Sequence, residues 1–247
     1  MKLAKSGRSW NRLRHLVDLA CVGDDDEQIR TIADVGCDHG LLAISLSLSG
    51  RFERIVGVDI SERALQDGAI ALHKQLLDTL NKEGRLQSVL PVDFRVGDGL
   101  KALQSGEGDA LCIAGMGVDS MIRIVEPSEI DRVGCRKLIL QPTSPRPRNL
   151  LRLYDSLSVM GWGVTNERIE YLSSRWYISA SFAPQTMDEN RPVPGQMLAR
   201  LSDESSMKKA YGDYVRHHRK WIEQNAKSGP VPENDKRWLA EIRKECV

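Results

Sequence analysis

Apolar and polar positions alternate in two rhythms along most of the chain, one suited to buried strands and one to helices. Short apolar runs bounded by turn residues occur at residues 31–36 (TIADVG), 55–60 (IVGVDI), 94–98 (FRVGD), 110–115 (ALCIAG) and 137–142 (KLILQP). Such runs read as strands buried on both faces. LLAISLSL follows the first run as a helix. Ser61 is a good N-cap for the next helix. There Leu65, Ala69, Leu72 and Leu76 recur on one helical face, and Gly84 is a plausible stop. Met121, Ile122 and Val125 predict a short helix; Leu150, Leu153, Tyr154 and Leu157 predict another, closed by Gly161. Residues 163–172 and 175–182 read as an antiparallel pair. Strand–helix units followed by a hairpin predict a mostly parallel sheet with helices on both faces and one antiparallel strand.

The pattern changes at residues 184–194 (PQTMDENRPVP), a polar linker containing prolines. Beyond it Met207, Tyr211, Tyr214, Val215, His218 and Ile222 fall at helical spacing, residues 228–235 break the chain, and Trp238 and Ile242 mark a last helix. The expected division is an α/β domain over 1–183 and a linker with a helical tail over 184–247. The tail either docks on the domain or projects from it, as packing or as a substrate-gripping arm.

Composition narrows the picture little. The 247 residues are 41% apolar with net charge +1, so no overall field points to nucleic acid. The cysteines at 21, 37, 112, 135 and 246 form no CxxC pair and suggest neither a disulfide framework nor a zinc site. No run is long enough to span a bilayer. The basic N-terminus lacks the apolar core of a secretory signal and reads as an arm belonging to the fold. A cytoplasmic monomer without metal is expected, organellar if the host is eukaryotic.

Chemistry gathers at the strand ends. Asp34-Val-Gly36-Cys37-Asp38-His39-Gly40 follows the first strand, where glycines let backbone N–H groups approach a ligand at a helix N-terminus. Asp59 ends the second strand, where a carboxylate takes ribose hydroxyls. These features alone fit NAD or S-adenosylmethionine. A mid-loop Asp repels a pyrophosphate but suits a cationic sulfonium bearing an α-amino group. Asp98 in Gly97-Asp98-Gly99-Leu100 can accept an adenine amino group, and a hairpin replaces a second nucleotide-binding half. All three favour S-adenosylmethionine.

The order of these elements is specific: an Arg12-Leu13 pair, D-x-G-x-D-H, Asp59 after strand two, G-D-G-L, I-A-G-M-G after strand four, L-I-L-Q-P, then G-W. It resembles the bacterial-type tRNA (adenine(22)-N1)-methyltransferase family from about Arg12 to Phe182, more loosely in the tail. The resemblance implies a Rossmann-like, seven-stranded class I methyltransferase sheet with a C-terminal helical, coiled-coil-like appendage. It implies methyl transfer from S-adenosyl-L-methionine to N1 of an adenine in the tRNA D-arm. It places the cofactor against Arg12, Asp34, Gly36, Cys37, Asp38, His39, Gly40, Asp59, Ile60, Asp98, Gly99, Ala114, Gly115 and Met116, and the substrate against Gly117, Gln141, Pro142, Arg146 and Arg148. Val118 stands where the family has a further glycine, Cys37 where it often has Ser, and the stretch between strands two and three is long.

The expected chemistry needs little machinery. Adenine N1 carries a free lone pair, so positioning and exclusion of water are the main requirements. The acid-Pro-Pro-aromatic signature of amino-directed enzymes is absent after strand four. Cys112 reads as buried core rather than nucleophile. The methylated base is cationic at first, and Asp38 is the candidate to stabilise it or take the N6 proton, the alternative being a cofactor or capping role. His39 reads as a structural loop residue, with a phosphate contact as the alternative. Basic residues cluster at Arg132, Arg136, Lys137, Arg146, Arg148 and Arg152, along the arm (Lys2, Lys5, Arg8, Arg12, Arg14), and at Arg216, His217, His218, Arg219 and Lys220. Arg146 and Arg148, beside the expected methyl donor, are the candidates for tRNA phosphates. The competing readings are a methyltransferase for a small molecule or protein, a cofactor-binding protein without catalysis, which only Val118 encourages, and an NAD-dependent oxidoreductase.

Overall fold

The computed structural model describes residues 7–22, 29–85, 89–185, 193–202 and 204–245, with the side chains of 7–11 and 243–245 excepted. Lys2, Lys5, Cys246, the side chain of Arg8 and most of the 184–194 linker lie outside the described residues.

Seven strands, β1 (Thr31–Val35), β2 (Arg54–Asp59), β3 (Val92–Val96), β4 (Ala110–Met116), β5 (Lys137–Pro142), β6 (Trp162–Leu172) and β7 (Arg175–Pro184), match the expected runs to within two residues. They form one sheet in the order β3-β2-β1-β4-β5-β7-β6. The first five run parallel, and β7 is antiparallel to both its neighbours. This is the expected Rossmann-like methyltransferase architecture. Strand order reverses between β1 and β4, which opens a crevice at their C-terminal ends.

Side-chain alternation splits the core in two. Ala33, Val35, Leu111 and Ile113 face one layer of helices; Ile32, Cys112 and Ile139 face the other. The helices are α1 (Gly7–Cys21), α2 (Leu41–Ser49), α3 (Ala71–Lys82), α4 (Val118–Ile124), α5 (Pro127–Val133), α6 (Pro147–Val159), α7 (Gln196–Ala199), α8 (Ser206–Asn225) and α9 (Glu233–Glu245). The described part of the N-terminal basic arm, from Gly7 onward, is thus helix. In α1, Leu13, Leu16, Leu19 and Ala20 form a buried stripe seated across β4, β5, β6 and β7. Helix α5 was not legible either; Pro127 opens it at a position where the missing N–H costs nothing.

Ser61 Oγ accepts the Ala64 N–H at 3.2 Å, as expected of a cap. A π-helical turn over Ala64–Ile70 then leads into α3. Its extra residue rotates the buried face by one position. Leu65, Ala69 and Leu76 are buried as predicted, but His73 takes the central place and Leu72 is half-buried.

The tail is docked. Tyr211, Tyr214, Ile222, Trp238 and Ile242 share an apolar cluster with Leu150, Leu151, Ile169 and Ile178 of the main domain. α9 lies along α6, and α8 across β6. A second anchor is polar: buried Glu167 on β6 accepts the Tyr154 hydroxyl at 2.7 Å, the Gly195 N–H at 2.7 Å and the Met197 N–H at 3.0 Å. The segment entering the tail is therefore fastened to the sheet. Among the described residues no helix is long and apolar enough to cross a membrane.

Candidate functional site

A cavity of about 480 Å³ opens at the C-terminal ends of β1, β2 and β4. Its size falls within the range of small-molecule sites. Arg12 and Leu13 come from α1, Asp34 from the end of β1, Gly36 to His39 from the loop after it, Leu41 and Leu42 from α2, Asp59 from β2, and Ala114 to Met116 from β4. The register brings Asp34 opposite Gly57, so Asp59, two residues further along β2, shares Asp34's face.

Asp34 is 2% exposed, and one of its oxygens accepts the Ala43 N–H at 3.0 Å. Burial pushes its carboxyl up to about 7; the nearby Asp59 adds to the rise, while the Ala43 N–H and the Arg12 guanidinium oppose it. Arg12 rests on Tyr177, its Cζ 5.8 Å from the ring centroid. Its Nε is buried without a hydrogen-bond partner among the described residues. Asp59 organises the loop, accepting the Asp38 N–H and the Ser61 N–H at 2.8 Å each. Each of its oxygens keeps a further lone pair for a hydroxyl. The cavity thus presents a guanidinium, a buried carboxylate and a second carboxylate: partners for an α-amino acid and a vicinal diol.

Glycine is required where the loop turns. Gly36 has φ +77°, and an added Cβ would stand 1.9 Å from the Met116 Cε. Gly36→Ala combines left-handed strain, about 1–2 kcal/mol, with a displaced Met116. The expected result is a melting temperature several degrees lower; an unchanged value in calorimetry would contradict this account. Gly115 (φ +74°) forms a bulge between Ala114 and Met116 in the pairing with β5. It shortens the side-chain wall where the β4 chain leaves the sheet.

The other expected residues divide between the rim of the cavity, where Cys37, Asp38 and His39 stand, and places outside its lining. Cys37 is buried beside Leu65 and Ala69, and Gly40 accommodates Phe94, so the two shape the loop from beneath. Asp38 (φ +49°) and His39 are largely exposed and pair with each other at 2.8 Å. Ile60, Asp98 and Gly99 lie outside the cavity lining; Ile60 is 74% exposed and Asp98 faces Lys101. Gly117 caps α4 with open space where a Cβ would be. Cys112 is fully buried in an apolar core, as expected.

Several expectations are corrected. Gln141 is 1% exposed beneath α1 and donates to Ser179 Oγ at 2.7 Å, so it is not offered to a substrate; Pro142 beside it is buried too. The basic segment does not form one surface, because β5 carries its two halves to opposite ends of the parallel strands. Arg132 and Arg136 pair with Glu129 and Asp109, and Lys137 donates to the Val22 carbonyl. Arg146 and Arg148 lie outside the cavity and against Trp221 of α8. In the tail, Arg216 and Arg219 are paired along their own helix with Asp213 and Glu223. Val118 is 8% exposed and packs into the core with Met121, leaving the open end of β4 clear. Tyr177, against Arg12, and the cavity-lining Leu41 and Leu42 are residues the sequence reading missed. Only the position of Tyr177 in the hairpin, facing the helix that carries Arg12, reveals it.

Comparison with known proteins accords with this geometry. Residues 12–178 match the family described as "Methyltransferase domain". A tRNA (adenine(22)-N(1))-methyltransferase of Bacillus subtilis is 34% identical over 111 residues, a match covering 45% of this chain and 42% of that protein. The match therefore spans less than half the length of this curated relative. Among solved structures, Streptococcus pneumoniae Sp1610 in complex with S-adenosyl-L-methionine superposes with a TM-score of 0.63 at 20% identity, over 95% of this chain and 96% of that one. The B. subtilis m1A22 tRNA methyltransferase gives 0.61 at 22%, over 98% and 96%. An M. capricolum relative in complex with S-adenosyl-homocysteine gives 0.58 at 17%, over 95% and 93%. At these identities the structural likeness shows a shared fold.

Proposed function

This chain belongs to the methyltransferase domain family, and on that premise we propose that it transfers a methyl group from S-adenosyl-L-methionine to N1 of an adenine in tRNA, at position 22 of the D-arm. The observation that carries the cofactor assignment is the donor set of the cavity. Arg12, with its buried unpartnered Nε, matches an α-carboxylate; Asp34 matches an α-ammonium; Asp59 matches ribose hydroxyls. Gly36 adds a left-handed turn that brings the loop backbone to the cavity, in close contact with Met116. The choice of tRNA rests on the similarity to the B. subtilis relative.

When bound, the cofactor supplies an electrophilic methyl group on a sulfonium. The chain's own residues then need only place the base. Gly115 and Gly117 present no side chain at the end of β4, and Val118 turns inward, so a planar ring has access there. The ring nitrogen would attack the methyl carbon with its own lone pair while the methyl–sulfur bond breaks, the electron pair staying on sulfur as a neutral thioether. The methylated base would then carry a positive charge, which a nearby carboxylate stabilises and which loss of the N6 proton would remove. Asp38 is the carboxylate we assign to receive it, held by the left-handed backbone and by the Asp38 N–H to Asp59 bond.

The test is incubation with labelled cofactor and unmodified tRNA, followed by mass spectrometry of the nucleosides and of oligonucleotide fragments that locate the modification. 1-Methyladenosine at position 22 is expected; label confined to protein or small molecules overturns the reading. Asp38→Asn is expected to lower kcat at least tenfold, a modest share of what general acid–base groups contribute, with little change in cofactor affinity. Equal kcat with weaker cofactor binding would assign Asp38 to the cofactor instead.

A further inference from the structure

Arg146 and Arg148 converge on one aromatic ring. Their Cζ atoms lie 5.0 and 6.0 Å from the Trp221 centroid. Among the described residues neither guanidinium makes an ion pair. Arg146 is exposed, Arg148 half-buried. Beside them a cavity of about 230 Å³ is bounded by Arg148, Trp221, Asn225, Gly229, Pro230 and Asp235. It is smaller than whole-cofactor sites.

The arrangement is rigidly built. Arg146 is the N-cap residue of α6. The loop before it is held by the Tyr214 hydroxyl, which donates to the Pro145 carbonyl at 2.6 Å, and by Asn149, which donates to the Ser144 carbonyl and hydroxyl. Asp235 from α9 is buried and accepts the Arg148 backbone N–H, so its carboxylate is engaged with the first turn of α6. Fastening the tail would need neither guanidinium in particular, since the apolar cluster already does so. The Asp235 carboxylate is near enough to feel both guanidiniums, but one negative charge offsets only one of the two positive ones, and an added anion such as a phosphate would offset the other.

Position links the platform to the catalytic cavity. Thr143 donates its N–H to the Met116 carbonyl at 2.9 Å, and Met116 lines the cavity. Arg146 follows three residues later, so its backbone lies within roughly 10–11 Å of that contact. Arginine forks bind phosphate, and an indole face stacks on any base.

We propose that Arg146, Arg148 and Trp221 form a second RNA contact that grips a phosphate and an unpaired base flanking the reacting adenosine. This rests on the tRNA reading above. It makes the C-terminal helices part of the substrate site, since Trp221 belongs to α8 and the groove is closed by the segment before α9.

The experiment uses the full chain and an unmodified tRNA transcript, with affinity measured across a salt series. Arg146→Gln with Arg148→Gln is expected to flatten the dependence of log Kd on log salt by about 0.7, the contribution of one single-strand phosphate contact. Trp221→Ala is expected to weaken tRNA binding roughly tenfold, the lower part of the range for one stacked base. Trp221→Phe should retain most of the affinity, and S-adenosyl-L-methionine affinity should stay within about twofold in every variant. If Trp221→Ala fails to fold, the arginine pair and Trp221→Phe decide. Wild-type tRNA affinity and salt slope in the folded arginine variant would overturn the platform while leaving the enzyme reading intact. Failure of the wild-type protein to methylate any tRNA, with cofactor bound, would strike the enzyme reading instead.

Discussion

Asp34→Asn is expected to weaken S-adenosyl-L-methionine binding about 100-fold, in line with losing a buried charge-assisted hydrogen bond of roughly 2–3 kcal/mol. The side chain is 2% exposed and spends one oxygen on the Ala43 N–H, leaving the other for the ligand. An amide of the same size can keep the first bond, so the helix start survives, but it cannot pair with an ammonium. The pH dependence sharpens the test. With its carboxyl at about 7 in the folded protein, Asp34 is largely protonated at pH 6 and ionised at pH 8. Wild-type affinity should therefore rise across that interval, and the Asn variant's should be flatter. Stability of the ligand-free protein runs the other way. The raised carboxyl favours the folded state fully below its ordinary value near 3.8, and that contribution is lost as pH climbs to about 7. Calorimetric titration at three pH values would settle the matter; an affinity within threefold of wild type, with no difference in pH slope, would remove Asp34 from the site.

Glu167→Ala should cost roughly 3–5 kcal/mol in urea unfolding, as expected when one partner of a buried polar network is removed. It strands the Tyr154 hydroxyl and the N–H groups of Gly195 and Met197 at once. Burial pushes the Glu167 carboxyl upward, and the donors around it oppose the rise. Tyr154→Phe removes a single donor and should cost only about 1 kcal/mol. A loss below 1 kcal/mol for Glu167→Ala would mean that the entry to the tail is held by its apolar cluster alone.

Strands and the first-loop site were legible because each signal was local. An apolar run bounded by turn residues is a buried strand whatever follows it, and Asp34, Gly36 and Asp59 sit at strand ends, where ligands bind. Helix α1 was hidden by its charges: Arg8, Arg12 and Arg14 read as part of a basic arm, although Leu13, Leu16 and Leu19 decide where the helix lies. The basic segment misled for the opposite reason. Arg132 and Arg148 are close in sequence, but between them β5 carries the chain from one end of the parallel strands to the other. Tyr177, Trp221 and Glu167 act through partners far away in the chain, and no spacing rule connects them. The π-turn after Ser61 moved one predicted core position to His73, a one-residue effect below the resolution of periodicity.

The seating of α1 has a consequence for how the protein is made. Arg12 is among the first ligand-facing residues to leave the ribosome, yet it rests on Tyr177, 165 positions later. At ordinary synthesis rates of about 5–20 residues per second that is a wait of roughly 8–33 s. Until β7 emerges and inserts between β5 and β6, the leucine stripe of α1 has only part of its final platform. The half of the sheet that binds a nucleotide in most such folds can assemble early, but the guanidinium that completes the cavity cannot. A nascent chain halted before residue 177 should therefore expose part of the apolar stripe of α1, an opening for chaperones while synthesis is still under way.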